Sequence, residues 1–187
     1  MDATLTPVME RFIMHWGEMG SRWGVNRSVA QVHGLLFLSP EPLTAEEIAE
    51  TLGLSRSNVS ISLKELQGWG LVHARRTRGA RRDELIAEKD PQKVFRLIVE
   101  GRKRREIDPT LTILRDLSLQ ASQEPEEPEH VKRQITRLLE FTELLNGFYE
   151  DVIRLSDETL LKMAKAGARI ADIFGKRSGK GRRADGG

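Results

Sequence analysis

Apolar residues recur three and four positions apart along most of this chain, the period of helices that bury one face. From Pro7 to Trp23, Val8, Phe12, Trp16, Met19 and Trp23 keep that spacing, with Ile13 and Gly20 beside them, and predict an amphipathic helix. Val25 to Leu38 predicts a second, with Val29, Val32, Leu35, Leu36 and Leu38 apolar. Ser39-Pro40-Glu41-Pro42 ends it, because neither proline can continue a helix. Two short helices come next. Thr44 and Glu47 have capping-box spacing, Leu43 and Ile48 that of a hydrophobic staple, and Ile48, Ala49 and Leu52 share a face closed by Gly53. Leu54 is the expected buried residue of the turn, Ser55 the next cap, and Val59, Leu63 and Leu66 the buried stripe of the second helix. Gly68-Trp69-Gly70 closes it. Leu71 to Ala74 and Leu85 to Ala87 then read as two strands around a tip, Arg75 to Arg82, that carries five arginines.

Beyond this hairpin, Asp90-Pro91 and Asp108-Pro109 each predict a helix start. Val94, Phe95, Leu97 and Ile98 form the buried side of the first helix, and Leu111, Leu114 and Leu117 that of the second. An acidic, proline-containing linker separates them from a long helix whose apolar stripe includes Val131, Ile135, Leu138, Phe141, Leu144, Leu145, Phe148 and Val152. So broad a face on one helix needs a partner helix, which predicts dimerisation. Asp157 to Phe174 reads as a further helix and the Gly- and Arg-rich end as disordered. The expected fold is mainly α with a small β-hairpin wing. A winged helix-turn-helix domain with N-terminal helices spans 1–122, an acidic linker 123–129, a C-terminal helical dimerisation region 130–174 and a basic tail 175–187.

With 187 residues the chain can bury a sizeable core, and 39% hydrophobic against 31% charged residues suits a soluble helical protein. The absence of cysteine fits a reducing compartment and excludes disulfides and cysteine-type zinc sites. Without a membrane-length apolar run or a basic, apolar leader, the expected location is the cytoplasm. The net charge of +2 is too small to name a partner, but residues 176–187 hold five cations and one carboxylate, so the rest of the chain sums to −2. Basic character is concentrated in the hairpin tip, the run Arg102-Lys103-Arg104-Arg105 and the tail. The run near Arg102 spreads around its helix, which suits a solvated face and intersubunit salt bridges better than DNA contact.

The helix opened by Ser55 carries Arg56, Ser57, Asn58, Ser60, Ile61 and Lys64 away from its apolar stripe. Small, hydrogen-bonding and cationic side chains at a helix N-terminus suit the major groove, although an ordinary helical hairpin would share the spacing. The arginine-rich hairpin beyond it favours DNA, since clustered like charges repel unless a polyanion is near.

Leu54-Ser55-Arg56-Ser57-Asn58-Val59-Ser60, continued through Leu63-Lys64-Glu65-Leu66 to Trp69-Gly70-Leu71-Val72, resembles the helix-turn-helix of the GbsR-type branch of MarR-like transcriptional regulators. Asp90-Pro91, Val94-Phe95 and the basic run from Arg102 are similar to the segment after the wing in that group, and the likeness spans roughly residues 8 to 115. It implies a homodimeric repressor on an inverted-repeat operator in double-stranded DNA. Ser57, Asn58 and Ile61 would lie nearest base edges, with Ser55, Arg56, Ser60 and Lys64 on phosphates and Arg76, Arg78, Arg81 and Arg82 gripping from the wing. Ile61 stands where many MarR-like proteins carry a cation, so a guanine contact is missing and specificity leans on methyl contacts or shape.

The group includes regulators that sense choline, and Phe12, Trp16, Trp23 and Phe37 could form an aromatic cage for a quaternary ammonium effector. The simpler reading makes them core. Catalysis finds no foothold: Gly175 to Lys180 lacks phosphate-loop spacing, and His15, His33, His73 and His130 are too scattered for a metal site. The sequence therefore predicts no enzyme and no cofactor. A winged helix that docks protein instead of DNA is the alternative.

Overall fold

The computed structural model describes residues 5–76 and 82–156, together with 158–159, 162–163 and 166. The expected helix from Asp157 and the tail fall almost wholly outside these residues, as does the tip of the hairpin with Arg78 and Arg81. The chain groups into two compact units, one ending at Lys103 and the other beginning at Arg104.

The first unit opens with α1 (Pro7–Arg22) and α2 (Arg27–Leu38). Asn26 caps α2, accepting from the Ser28 amide at 2.9 Å, so α2 starts two residues later than its apolar pattern suggested. The face that α1 buries also differs from expectation. Ile13, Gly17 and Gly20 are its buried residues, whereas Val8 and Trp23 are 78% and 57% exposed. Glycine decides this: a Cβ on Gly20 would stand 2.5 Å from the Ala30 Cβ, so the two backbones come closest along a stripe that hydrophobicity alone does not reveal.

After β1 (Leu43–Thr44) come α3 (Ala45–Leu52) and α4 (Arg56–Gly68). The capping box is present, with Glu47 N–H donating to Thr44 Oγ1 and Thr44 N–H to the Glu47 carboxylate. These bonds hold the Glu47 carboxyl below its usual pKa, the backbone donor contributing most. Gly53 ends α3 with φ +63°. Leu54 in the turn is half-buried. The hairpin strands are β2 (Val72–Arg75) and β3 (Glu84–Ala87), paired antiparallel with Val72 opposite Ala87 and Arg75 opposite Glu84. β1 adds a third strand on the far edge of β3, Leu43 facing Leu85. Two residues are too few to announce a strand by alternation.

The core of this unit joins Val32, Leu35 and Leu36 of α2 to Ile48 of α3, Val59 and Leu66 of α4, and Val72. Lys89 then ties the exit of β3 to α2: its Nζ donates to the carbonyls of Leu36, Phe37 and Ser39, the orphan acceptors of a helix end. Burial lowers its pKa. The helix α5 (Pro91–Arg102), capped by Asp90, packs Gly101 against the Trp69 ring so closely that a Cβ there would come within 2.5 Å.

The chain does not break at Asp108-Pro109 as the repeated Asp-Pro signature suggested. A π-helical turn, Lys103–Ile107, precedes α6 (Asp108–Gln123), which places Asp108 inside the helix and not at its cap. A widened turn accommodates a proline that can neither donate nor fit beneath the preceding carbonyl. In the second unit α6 packs on α7 (Glu129–Ile153), with Arg115 paired to Glu143 at 2.9 Å. No residue of α7 is buried, and Leu138, Phe141, Leu144, Leu145 and Phe148 are all exposed.

Candidate nucleic-acid interface

Ser55 opens α4 by accepting from the Asn58 amide at 3.2 Å, and its hydroxyl lies 3.1 Å from that of Ser57. With Val59, Leu63 and Leu66 buried, helical geometry turns Arg56, Ser57, Ser60, Ile61 and Lys64 outward, and all five are exposed. Ile61 is 64% exposed, a large apolar group on an otherwise polar ridge. Asn58 differs from these neighbours. It is half-buried on the flank toward α2, with its side-chain Oδ1 2.8 Å from the hydroxyl of Ser28.

Across from α4, a cleft of about 500 Å³ separates the helix from the base of the hairpin, bordered by Glu46, Arg56, Ser60, Lys64, Arg82 and Asp83. Glu46, in the first turn of α3, forms ion pairs with both Arg56 and Arg82 and so links α3, α4 and the hairpin. In the sequence its position suggested only a favourable interaction with the helix dipole. The pairing depends on the fold, which brings residues ten and thirty-six positions apart to one carboxylate. Arg75 is bonded to Glu84 on the facing strand at 3.0 Å, and Arg76 stands 3.6 Å from Asp83. The described hairpin arginines thus meet carboxylates of the same chain, so mutual repulsion is a weaker argument for a polyanion than the bare sequence implied.

The aromatic residues of α1 and α2 do not converge on one centre. Phe12 stacks on Trp16 with ring centroids 5.4 Å apart and on Phe37 at 6.5 Å, both nearly parallel. Trp16 and Trp23, but not the two phenylalanines, border a small apolar cavity of about 80 Å³ with Trp69, His33, Ile98 and Arg102. Trp16 Nε1–H donates to His33 Nδ1 at 3.1 Å, which fixes the neutral His33 as the Nε2–H tautomer. Burial, helped by the charge of Lys89, lowers its pKa to about 4. Among the described residues no group of three or more His, Asp or Glu could hold a metal ion, and no helix is long and apolar enough to cross a membrane.

Residues 18–83, from α1 to the base of the hairpin, match the model of the MarR family. The HTH-type transcriptional repressor GbsR of Bacillus subtilis (strain 168) is 25% identical over 138 residues, covering 72% of this chain and 76% of that protein. A crystal structure described as that of a transcriptional regulator shares the fold, with a TM-score of 0.65 at 20% identity over 79% of this chain and 96% of the other. The helix-turn-helix and wing of this chain are thus similar to those of the MarR family, and most of its length is similar to a GbsR repressor.

Proposed function

We propose that this protein is a transcriptional repressor that binds an inverted-repeat operator as a homodimer. The observation that carries the reading is the exposed ridge of α4, polar and cationic but for Ile61, set across an open cleft from the hairpin base. In this reading Ser57, Asn58 and Ile61 meet base edges. Ser55, Arg56, Ser60 and Lys64 hold phosphates, and Arg76, Arg78, Arg81 and Arg82 grip from the wing. The apolar face of α7 supports a second copy of the chain as its cover, which would give the assembly the two-fold symmetry of an inverted repeat. A small-molecule effector enters at the cavity beside Trp16 and Trp23, where filling it would bias the packing of α1, α2 and the end of α4.

Selection of duplexes from a randomised pool by the full-length protein tests this reading. The expected product is a palindrome with half-sites about one helical turn apart. Recovery of no common sequence would contradict it. The internal ion pairs of Arg75, Arg76 and Arg82 favour a second reading, in which the hairpin is electrostatically self-sufficient and the module docks protein. That reading predicts the unselective outcome.

A further inference from the structure

We propose that Ser28 is a positioning residue for base recognition, fixing the amide of Asn58 so that it reads adenine. The inference rests on the DNA-binding reading above and deepens it. Ser28, buried at the start of α2, lies between two asparagine side chains: its Oγ is 2.7 Å from Asn26 Oδ1 and 2.8 Å from Asn58 Oδ1, two acceptors for one hydroxyl proton. Asn26 Oδ1 already accepts the Ser28 backbone N–H at 2.9 Å, so that atom is an acceptor. Two oxygens 2.7 Å apart need a proton between them, and only the Ser28 hydroxyl can supply it. The hydroxyl has no second proton. Toward Asn58 its oxygen can therefore only accept, so the Asn58 amide is assigned the opposite orientation, turned by half a turn to bring Nδ2 to Ser28 as the donor.

This chain of bonds sets what Asn58 offers to a ligand. One Nδ2 proton is held by Ser28, and the carbonyl oxygen is turned to the other side of the amide. Asn58 is the third residue of α4, within the N-terminal turn that a recognition helix presents to bases. The carbonyl oxygen and the second Nδ2 proton match adenine, whose major-groove edge carries an N6–H donor and an N7 acceptor. Guanine would place O6 against the Asn58 oxygen, acceptor against acceptor. Without Ser28 the amide can rotate by half a turn and donate to guanine O6 instead.

The test has two arms on the full-length chain. In free ¹⁵N-labelled protein, one Asn58 side-chain proton should exchange slowly with water, and Ser28→Ala should abolish that protection while Ser28→Thr, which keeps the hydroxyl, retains it. Fast exchange of both protons in the wild type would overturn the bond assignment without reference to DNA. In the second arm, duplexes selected by the wild type are changed one base pair at a time. Ser28→Ala should lose roughly tenfold of adenine-over-guanine discrimination at one pair in each half-site. Asn58→Ala should affect the same pair, and Ser28→Ala should add nothing in that background. Equal weakening on every duplex, or unchanged discrimination, would overturn the positioning role. A wild type that binds no duplex would instead bring down the DNA-binding reading, and the adenine assignment with it, while the exchange arm still judges the Ser28–Asn58 bond.

Discussion

His33 shows how one buried side chain sets a condition on the fold. Its ring is 3% exposed, accepts from Trp16, and has its pKa lowered from 6.5 to about 4, first by burial and then by the nearby Lys89. Because the folded pKa is the lower one, the unfolded chain takes up a proton at a pH where the folded chain does not. The contribution is complete above pH 6.5 and is lost as pH falls through the folded value near 4. We expect about 2 kcal/mol of stability to disappear between roughly pH 7.5 and pH 5 from this group. Urea melts of wild type and His33→Gln check it: the variant should lose that share of the pH dependence, and equal slopes would assign it elsewhere. Glu46 makes a second prediction at this scale. Its carboxylate occupies Arg56 and Arg82 and would repel an approaching phosphate. Glu46→Gln should raise affinity for random-sequence duplex by about fivefold, the worth of one or two exposed ion pairs. Fluorescence anisotropy measures this, and a loss of affinity would mean that Glu46 holds the arginines in place for DNA.

At the scale of elements, what could be read from the sequence was what local chemistry decides. Thr44 with Glu47, Gly53, Ser55 and Asp90 each act within a few residues, so caps and turns were legible from spacing alone. Val59, Leu63 and Leu66 likewise marked the buried side of α4, and with it the exposed ridge. Features set by contacts across the chain were not legible. The buried stripe of α1 follows Gly17 and Gly20 because α2 lies close there, and β1 exists only because β3 offers it an edge. Asp108-Pro109 carries the same signature as Asp90-Pro91, yet a π-helical turn takes the chain through it. The candidate site divides in the same way. Arg56 and Lys64 were visible as exposed cations, whereas the roles of Ser28 and Glu46 depend on neighbours thirty and ten or more residues away.

For the whole molecule, the exposed apolar face of α7 supports the proposed dimer. Five large apolar side chains on one helix stay exposed, more than a helix in water is expected to leave uncovered. Phe141→Glu with Phe148→Glu should convert a dimer to a monomer in sedimentation velocity while leaving the melting of α1–α5 intact, and should weaken operator binding by removing the second half-site contact. A dimer that survives both charges would place the interface elsewhere.

The central claim is that the α4 ridge and the hairpin base grip phosphates, and the dependence of duplex affinity on salt tests it most directly. With Arg56, Lys64 and Arg82 contributing from each of two protomers, log K against log salt should fall with a slope of about −5, and Arg56→Ala with Lys64→Ala should make it markedly shallower. A flat wild-type line, or one that the two substitutions leave unchanged, would contradict the account.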